Sequence, residues 1–593
     1  MSAWKAVLFV LLGFSVGAMV MKDGAVVVDR RETAPVRKLE LGSCKVPGLP
    51  DDALCGTYEV FENRAAGTGR RIPLRVVVVP ANAPQRQPDA VAYFSGGPGE
   101  SAVDDGGGWI VDILRRRGPQ TRDLLLVDLR GTGGSARLDC PELAGRKSLQ
   151  GFLDDFLPAG AVRSCRERLS RRTDLTRYTS AIAADDLDEV RAALGYEKLN
   201  LYGASYGTRT ALTYMRRHPD RVRTATLFGV VANDARTPLQ FARIAQNALD
   251  GLISERAGDA ACHAAFPGLR DEVAGILRRA GKEPVRVELT EAETGRTFEL
   301  RFNRDGVAQM LRYMLYDTGS AARLPLFVHL AAEGDFRPLA ENSLRYGIGG
   351  WSSNGYFLAI TCAEDVAFIR EEEIPAAVAG TFLGDFRIRR QQAACKAWTP
   401  AKLGSDILAP TVSDIPTLIV SGERDPATPP GDGEKTVRHL SHGIQVVIPG
   451  GAHGDGGMKG WECEDDLFVR FLEAGSTEGL DTSCVAKMER PAFALSVGEP
   501  EVTLAAADLD RLAGTYHESR SGYEARVEPA GGNRLRVRFP DAGTRLFVPT
   551  SPTRFRTAYD RLTLSFRMVD GRAVGLMVEQ AGEPWSEEMT RVP

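Results

Sequence analysis

The chain has 593 residues, a length typical of more than one domain. Its 74 basic and 78 acidic residues nearly cancel, so the charge balance gives no support for binding to nucleic acid or to an anionic membrane surface. With 43% hydrophobic and 26% charged residues, the composition is that of a folded globular protein.

The first 22 residues differ from the rest of the chain. Lys5 precedes an apolar run from Ala6 to Met21, and small residues lie near the end of that run. This pattern predicts a secretory signal peptide over residues 1–22. The run is shorter than the roughly 20 residues of a membrane-spanning helix, so an uncleaved anchor is the less favoured interpretation. We therefore expect an exported protein, periplasmic or extracellular, without stable membrane association.

Nine cysteines support the prediction of export. Eight of them form four pairs that are close in sequence: Cys44/Cys55, Cys140/Cys165, Cys362/Cys395 and Cys463/Cys484. Neither a CxxC motif nor a cysteine–histidine spacing typical of zinc is present in the sequence, so disulfides are expected rather than a metal site. Pairing of nearest neighbours is the simplest of several possible connectivities, and it leaves Cys262 as a buried free thiol.

Residues 23–232 have the pattern of an α/β domain. Apolar runs typical of buried strands occupy residues 72–79, 90–94, 123–129, 198–202 and 224–231. A helix is predicted between the third and fourth runs, because Ala183, Leu187, Val190 and Leu194 share one helical face. Strands that alternate with helices predict a parallel sheet covered on both faces.

The predicted secondary structure changes in character twice further along the chain. Residues 233–410 are mainly helical, and we interpret them as a cap inserted over the active site, with a fully separate domain as the alternative. Two more buried strands, at residues 417–421 and 444–448, return residues 411–490 to the α/β domain. After a linker at 491–504, residues 505–593 show alternating apolar runs at 535–539 and 562–566 and a hairpin turn at Asp570–Gly571, which predict a small antiparallel β domain.

The strongest functional signal is the sequence Gly-Ala-Ser-Tyr-Gly at residues 203–207. It lies where the strand at 198–202 runs into an amphipathic helix predicted over residues 206–218. Strand, Gly-x-Ser-x-Gly and helix together are typical of the nucleophile elbow of α/β-hydrolases, in which a tight turn lifts the serine above the sheet. The same pattern at residues 13–17 has no preceding strand. We therefore predict Ser205 as a nucleophile, with an ordinary helix N-cap serine as the alternative.

An activated serine requires a histidine base and an acid that orients it, and in α/β-hydrolases the chain order is serine, acid, histidine. Among the seven histidines, His453 is the one that follows the last strand of the main sheet, in a glycine-rich loop. Asp425 follows the strand at 417–421, and Pro426 stiffens the turn that presents its carboxylate. We predict Asp425 as the acid and His453 as the base. Glu423 is the rival acid, and a surface-loop histidine is the alternative for His453.

The tetrahedral intermediate of acyl transfer needs hydrogen-bond donors for its oxyanion. The N–H of Tyr206, directly after the nucleophile, is one predicted donor. The second is expected from the Gly-Gly-Pro-Gly loop at residues 96–99, which follows the strand at 90–94, and Gly97 is the best candidate. A structural Gly-Pro turn is the alternative for this loop.

Together, these motifs resemble the proline iminopeptidase and tripeptidyl aminopeptidase group of serine peptidases. The resemblance rests on residues 96–99, on Asp-Leu-Arg-Gly-Thr-Gly-Gly-Ser at 128–135, on the elbow, on Asp425 and on His453. Residues 480–484 are similar to the terminal segment of the secreted tripeptidyl aminopeptidase branch. The resemblance covers roughly residues 41–487. It implies an exopeptidase that acts on peptides with a free N-terminus, of the prolyl- or tripeptidyl-aminopeptidase type, without a metal or cofactor.

The same resemblance implies that acidic residues of the cap bind the α-amine of the substrate. Residues 360–365, Ile-Thr-Cys-Ala-Glu-Asp, are similar to the family's cap segment, which makes Glu364 and Asp365 the candidate amine ligands; a solvated helix end is the alternative. The chain departs from the family at Glu100, where many relatives carry a small residue, so we expect a narrower or more acidic oxyanion entrance. The tail from residue 505 is similar to the small β-barrel appended to some penicillin-recognising serine hydrolases.

Two other functions fit parts of this pattern. An esterase or lipase would use the same catalytic residues, because acyl-enzyme chemistry serves esters and amides alike. An inactive hydrolase fold used for adhesion or ligand capture is disfavoured by the presence of all three triad residues in the expected order.

Overall fold

A computed structural model describes residues 19–22, 25–28, 38–116, 118–143, 149–292, 294–347, 353–454, 456–518, 524–539, 543–557, 562–580 and 586–592. The predicted signal peptide lies outside these residues except at 19–22, as does the second Gly-x-Ser-x-Gly pattern at 13–17. The strands are β1 Met19–Lys22, β2 Ala25–Val28, β3 Gly42–Ser43, β4 Leu54–Phe61, β5 Arg71–Val79, β6 Ala90–Phe94, β7 Asp123–Val127, β8 Leu199–Ala204, β9 Val222–Phe228, β10 Val285–Thr290, β11 Thr297–Phe302, β12 Thr417–Gly422, β13 Gly443–Ile448, β14 Gly514–His517, β15 Glu524–Gly531, β16 Arg534–Phe539, β17 Gly543–Pro549, β18 Arg554–Thr557, β19 Leu562–Val569, β20 Arg572–Gln580 and β21 Ser586–Arg591.

The α-helices follow the same chain order. They are α1 Gly107–Arg116, α2 Leu149–Leu153, α3 Ala159–Ser170, α4 Ser180–Leu194, α5 Tyr206–Arg217, α6 Thr237–Gly258, α7 Ala260–Ala265, α8 Leu269–Lys282, α9 Arg304–Met314, α10 Thr318–Ala321, α11 Leu324–Glu333, α12 Arg337–Gly347, α13 Asn354–Ile360, α14 Ile374–Val378, α15 Phe386–Ala397, α16 Pro430–Val437, α17 Glu462–Ala474 and α18 Ala506–Leu512. None of the helices in the described part of the chain is long and apolar enough to cross a membrane.

Nine strands form the main sheet, in the order β13-β12-β9-β8-β6-β7-β5-β4-β3. The six strands from β13 to β7 are parallel to one another, and the three strands at the other edge pair antiparallel. Strands β6 and β12 are buried along their whole length, as expected for a parallel sheet with helices on both faces. The predicted strands and their alternation with helices are therefore confirmed, with boundaries that shift by one to three residues.

The helical insertion lies between β9 and β12 and has a hydrophobic core of its own, built mainly from α6, α8, α9 and α11. It also contains an antiparallel hairpin, β10–β11, which the sequence analysis did not single out. Helix α13 continues into a π-helical turn, Thr361–Asp365, a feature that often marks functional sites. The disulfide Cys362–Cys395 joins this turn to α15.

The C-terminal strands β14 to β21 close into an antiparallel barrel, as the sequence predicted. Alternating side chains of these strands fill the barrel, and Phe547 and Phe555 are fully buried in it. Helix α18 adds Leu509 and Leu512 to this core. The barrel contacts the insertion where Arg536 Nε donates a 2.7 Å hydrogen bond to the carbonyl oxygen of Ala292. The interior of the barrel is therefore filled by the domain's own side chains.

The four cysteine pairs are bonded as nearest neighbours in sequence. This was the simplest of the connectivities left open above, and it is confirmed. Cys262 is a buried free thiol, and burial raises its pKa to about 11, so the reactive thiolate is disfavoured there.

Candidate active site

Ser205 occupies the tight turn between β8 and α5. Its backbone has φ 52° and ψ −122°, a left-handed conformation that non-glycine residues rarely adopt. A Cβ on Gly207 would lie 2.1 Å from the carbonyl oxygen of Phe94, and a Cβ on Gly203 would lie 2.9 Å from the carbonyl oxygen of Gly207. Both glycines of the motif are thus required by close backbone contact, which is the geometry expected of a nucleophile elbow.

The register of the sheet brings the predicted loops to one edge. Gly203 of β8 pairs with Phe94 of β6, and Ala204 pairs with Phe228 of β9. Gly422 of β12 pairs with Ile448 of β13. Because parallel strands end on the same side, the loops that follow β6, β8, β12 and β13 meet above the carboxyl edge of the sheet, where ligands bind in open α/β sheets.

The predicted acid and base are in direct contact. His453 Nδ1 lies 2.7 Å from Asp425 Oδ2, and the Thr428 hydroxyl donates a 2.7 Å hydrogen bond to the same oxygen. Asp425 Oδ1 accepts hydrogen bonds from the N–H groups of Ala427 and Thr428, at 2.7 and 2.8 Å. An acceptor beside Nδ1 holds the proton on that nitrogen, which leaves the lone pair on Nε2. The rival acid Glu423 is exposed and accepts a hydrogen bond from the N–H of Gly450 instead.

The surroundings of His453 favour its protonated form more than water does. Burial lowers the pKa of the imidazole, but the charge of Asp425 and its hydrogen bond more than offset this, so the pKa is raised above its ordinary value. The Arg312 charge acts in the opposite direction, and the Glu100 charge supports Asp425. Tyr316 packs edge-on against the ring, with 5.4 Å between the ring centroids.

A cavity of about 770 Å³ lies over this edge of the sheet, and both Ser205 and His453 line it. We call the loops at the carboxyl ends of the strands the floor of the cavity, and the lining residues of the insertion its roof. The roof consists of residues from α6, α9, α13, the π-helical turn, α15 and an adjoining segment: Thr237, Phe241, Arg312, Tyr313, Tyr316, Phe357, Thr361, Asp365, Arg387 and Gln391. The insertion therefore covers the predicted catalytic groups.

The predicted oxyanion donors also lie at the cavity. Tyr206 is the first residue of α5, where the N–H groups of a helix have no partner within the helix. Gly97 lines the cavity with φ +104°, and a Cβ there would lie 2.8 Å from the nitrogen of Gly99. A Cβ on the neighbouring Gly96 would lie 3.3 Å from the Ser205 Cβ, so this loop packs directly against the elbow.

The carboxyl group of Glu100 lies beside the loop at residues 96–99. The hypothetical Cβ on Gly96 would lie 3.0 Å from Glu100 Oε2, and Ser95 Oγ donates a 3.1 Å hydrogen bond to that oxygen. Burial raises the pKa of Glu100, and the charge of Asp105 raises it further, against opposing effects of Ser95 and His453. The expectation of a more acidic entrance thus has a structural counterpart, a buried carboxyl group whose pKa lies above its ordinary value.

The motif at residues 128–135 holds the oxyanion loop in place. Asp128 is fully buried and accepts hydrogen bonds from the Ser101 hydroxyl at 2.6 Å and from the N–H of Gly134 at 2.8 Å. Arg130, also fully buried, donates two hydrogen bonds to Asp186, at 2.6 and 2.8 Å. These side chains satisfy each other away from the cavity, so the motif supports the site without lining it.

The two acids of the π-helical turn have different surroundings. Glu364 does not line the cavity. It accepts hydrogen bonds from the N–H and the hydroxyl of Ser180, both at 2.7 Å, at the N-terminus of α4. Asp365 does line the cavity, and Arg209 Nη1 donates a 2.8 Å hydrogen bond to its Oδ1. Its Oδ2 accepts a 3.2 Å hydrogen bond from the Thr237 hydroxyl. Adjacent positions in the sequence thus place one acid at a helix N-terminus and the other in the roof.

Several cavity residues were not found from the sequence. Thr428, three residues after Asp425, supports the predicted acid, and only its closeness in sequence could have suggested it. Tyr316, Arg312 and Arg209 belong to no motif, and contacts across the insertion bring the first two to His453.

Comparison with known proteins agrees with this geometry. Residues 89–455, more than half of the chain, match the α/β-hydrolase fold family. The chain therefore belongs to that family, and the predicted fold class is confirmed.

Two relatives lie closer to the predicted group. The serine protease Hip1 of Mycobacterium tuberculosis is 24% identical over 485 residues, which cover 74% of this chain and 88% of the relative. The tripeptidyl aminopeptidase of Streptomyces lividans is 26% identical over 483 residues, with coverage of 74% and 84%. Among solved structures, a proline iminopeptidase from Mycobacterium smegmatis covers 71% of this chain at 14% identity, with a TM-score of 0.32. The two sequence relatives confirm the resemblance drawn from the motifs and the prediction of a hydrolase.

Proposed function

We propose that this protein is an exported serine exopeptidase that releases single residues or short peptides from the N-termini of peptides. The observation that carries the proposal is one shared cavity. Ser205 in its left-handed turn and His453, bonded to Asp425, line the floor, while the buried carboxylate of Asp365 lies in the roof. The names of the two relatives, a serine protease and a tripeptidyl aminopeptidase, support peptide substrates.

In the proposed acylation step, Ser205 Oγ attacks the carbonyl carbon of the scissile amide. His453 Nε2 accepts the hydroxyl proton, and Asp425 stabilises the imidazolium that results. The N–H groups of Gly97 and Tyr206 donate hydrogen bonds to the oxyanion. When the C–N bond breaks, His453 delivers its proton to the leaving amine, and the N-terminal part of the substrate remains bound to Ser205 as an ester. Water then attacks the ester carbonyl while His453 takes its proton; the C–Oγ bond breaks, His453 returns the proton to Ser205 Oγ, and the acid product leaves.

The raised pKa of His453 has a definite consequence for this mechanism. Only the neutral imidazole accepts the serine proton, so activity is lost as the pH falls through the His453 pKa. Because that pKa lies above its ordinary value, we expect the acid limb of the kcat/KM profile at a higher pH than for an unperturbed histidine.

Asp365 is our candidate ligand for the substrate's α-ammonium group. Its Oδ1 accepts hydrogen bonds from Arg209 and from the N–H of Thr237, whereas Oδ2 accepts one, from the Thr237 hydroxyl. A carboxylate oxygen has room for more than one donor, so Oδ2 retains capacity for an ammonium group. We do not extend this role to Glu364, because it lies outside the cavity lining and bonds to Ser180 at the N-terminus of α4.

Export is proposed from the cysteine chemistry. Four disulfides persist in oxidising compartments such as the periplasm or the extracellular space and are rare in the cytosol. The apolar run at residues 6–21 supports the same location. Cell fractionation followed by mass analysis of the N-terminus tests this. Recovery of the full-length chain in the cytosol with reduced cysteines would contradict it.

The proposed function is tested with matched peptide arylamides that differ only in their N-terminus. We expect wild-type protein to cleave mono-, di- and tripeptidyl arylamides with a free α-amine, and to lose at least 100-fold in kcat/KM when the amine is acetylated, because the charge-assisted contact to Asp365 disappears. Equal cleavage of free and acetylated arylamides, together with rapid hydrolysis of small esters, would identify an esterase instead.

Ser205→Ala is the control for the nucleophile. We expect it to lower kcat by a factor of about 10⁴ or more, with the fold unchanged by circular dichroism. A fluorophosphonate should label wild-type Ser205 and leave the variant unlabelled. Full turnover by the purified variant would mean that another residue carries the reaction.

A further inference from the structure

Arg312 is a buried cation in the roof of the cavity. It belongs to α9, its residue is 5% exposed, and it lines the cavity. Its guanidinium carbon lies 4.2 Å from the ring centroid of Phe241 and 4.8 Å from that of Tyr316. Nη2 donates a 2.6 Å hydrogen bond to the Tyr316 hydroxyl, and Nε is buried without a hydrogen-bond partner. In the described part of the chain, no carboxylate forms an ion pair with this guanidinium.

Two other arginines that line the cavity each have a carboxylate partner. Arg209, equally buried, donates to Asp365 at 2.8 Å, and Arg116 donates to Asp465 at 2.6 Å. Burying a charge without a counter-charge is unfavourable, and proteins normally pair such groups. A guanidinium held between two aromatic rings at the wall of an open cavity is therefore suited to an anion that arrives with the ligand.

A second guanidinium adds positive charge on the same side. Arg387 of α15 is buried and lines the cavity, with its guanidinium carbon 4.1 Å from the ring centroid of Phe156. It also lies 5.7 Å from the Phe241 ring that Arg312 contacts at 4.2 Å. Two cations that share one aromatic ring produce a local positive potential, which attracts an anion and repels a cation.

This positive region borders the predicted catalytic base. Tyr316, which accepts the hydrogen bond from Arg312, packs against His453 with 5.4 Å between ring centroids. A group bound at Arg312 thus lies in the same cavity as the Ser205 hydroxyl.

We propose that Arg312, with Arg387 beside it, forms a subsite for a carboxylate of the substrate. The subsite deepens the proposed function, on which it rests, by adding an anionic group to the substrate class. The carboxylate has two possible sources, an acidic side chain near the scissile bond or the free C-terminus of a short peptide. Planar carboxylates are the anions that a guanidinium fork binds best, because two parallel hydrogen bonds form at once.

The experiment compares substrates that differ by one charge. One pair has Glu or Gln next to the scissile bond, and the other pair has a C-terminal carboxylate or carboxamide in a peptide of four residues, all with a free α-amine. We expect wild-type protein to prefer the acid of at least one pair by ten- to a hundred-fold in kcat/KM, and the pair that shows the preference identifies the source. Arg312→Gln should lower kcat/KM for the acid partner far more than for the neutral partner, so that the ten- to hundred-fold preference disappears. Arg312→Lys should retain part of the preference.

Arg116→Gln is the matched control, because Arg116 lines the same cavity but already has a carboxylate partner. It should leave the acid preference unchanged. If wild-type protein shows no preference in either pair, or if Arg312→Gln keeps it, the subsite proposal is overturned.

A second measurement does not depend on peptide cleavage. Glutarate should slow fluorophosphonate labelling of Ser205 in wild-type protein and in Arg116→Gln, and should have no effect on Arg312→Gln. Labelling that glutarate does not slow contradicts the subsite alone. Failure of wild-type Ser205 to react with the fluorophosphonate contradicts the proposed function instead, so the two failures are distinguishable.

Discussion

Charged groups on the floor and in the roof of the cavity differ in how many protein partners they have. On the floor, Asp425 accepts hydrogen bonds from two N–H groups, the Thr428 hydroxyl and His453, so its charge is fully partnered within the protein. In the roof, Arg312 has the Tyr316 hydroxyl and two aromatic rings but no carboxylate in the described residues. The charge of Asp425 on the floor is partnered without a ligand, whereas the charge of Arg312 in the roof can still form an ion pair with one.

This difference suits the floor to the proposed acyl-transfer reaction and the roof to the selection of substrates. A fully partnered group is held in one geometry and one protonation state, which acyl transfer requires at every turnover. A group with unused hydrogen-bonding capacity contributes most when a matching substrate arrives. We therefore expect floor variants to lower kcat on all substrates and roof variants to change the ranking of substrates. The following variants test that separation, beginning with the largest expected effect.

Asp425→Asn should be the most damaging of the conservative floor variants. The amide can still accept from the N–H groups of the turn, but it no longer stabilises the imidazolium or the tautomer with the proton on Nδ1 of His453. We expect kcat to fall by about 10⁴ with little change in KM, measured on the best arylamide.

Glu423→Gln provides the matched control for Asp425→Asn. Glu423 precedes Asp425 by two residues and is exposed. It accepts a hydrogen bond from the N–H of Gly450 and lies 3.9 Å from Arg424 Nη2. It should keep wild-type kcat. Equal losses in the two variants would contradict the assignment of Asp425 as the acid.

Asp365→Asn tests the roof through the substrate's amine. Removing the negative charge should lower kcat/KM for free-amine arylamides by roughly ten- to a hundred-fold, mainly through KM, because a charge-assisted hydrogen bond is lost. Labelling of Ser205 by a fluorophosphonate should be unaffected. A melting curve for the variant is needed, since Arg209 loses its counter-charge.

The neighbouring variant Glu364→Gln separates amine binding from support of the fold. Its amide can still accept from Ser180 at the start of α4, and the residue does not line the cavity. We expect its kcat/KM to stay within about three-fold of wild type. If Glu364→Gln loses more activity than Asp365→Asn, the amine is bound elsewhere or the acids act together.

The contrast between floor and roof also decides what the sequence could predict. Each floor residue follows a strand by a few positions, so the strand order and the glycine-rich loops were enough to find Ser205, Asp425 and His453. The sheet register then brings the loops together, because parallel strands end at one edge. Alternation with period two along residues 535–539 and 562–566 likewise predicted the antiparallel strands of the C-terminal domain, and the resemblance to an appended β-barrel implied its closure.

The roof has no comparable signal. Phe241, Arg312 and Arg387 come from three helices, and their sequence separations reflect how the helices pack rather than a local repeat. For the acids at 364 and 365, the family resemblance pointed to the right segment but could not separate them. Their different environments follow from the π-helical turn, in which consecutive side chains point to different neighbours.

The disulfide Cys362–Cys395 tests whether the roof must be rigid to select substrates. It joins the turn that carries Asp365 to α15, which carries Arg387. Replacing both cysteines by alanine removes a cross-link with a sequence separation of 33, which should lower the free energy of unfolding by about 3 to 4 kcal/mol. We also expect KM to rise for free-amine peptides, while the rate of fluorophosphonate labelling stays near wild type.

The pair Cys44–Cys55 is the matched control for the disulfide in the roof. It joins the residue directly after β3 to β4, at the opposite edge of the sheet from β12 and β13. Its removal should lower stability, by less because its sequence separation is 11, and leave KM unchanged. A KM effect of equal size in both double variants would mean that general destabilisation, and not the roof, is responsible.

Glu100→Gln should have the smallest effect on kcat/KM of the variants considered. It tests a floor carboxyl group that has no cationic partner among the described contacts. The Glu100 carboxylate raises the pKa of His453, together with Asp425 and against Arg312. Removing that charge should lower the His453 pKa, so the acid limb of kcat/KM moves to lower pH. The difference from wild type should appear where Glu100 is ionised, above its own raised pKa, and vanish below it.

Glu423→Gln is the control, because Glu423 is an exposed carboxylate on a neighbouring loop. It should leave the acid limb of kcat/KM in place. An acid limb that stays fixed or moves to higher pH in Glu100→Gln would show that the Glu100 carboxyl group does not raise the pKa of His453. Every charge on the floor that acts on His453 would then be partnered within the protein, and the charge of the substrate would be recognised only by the roof.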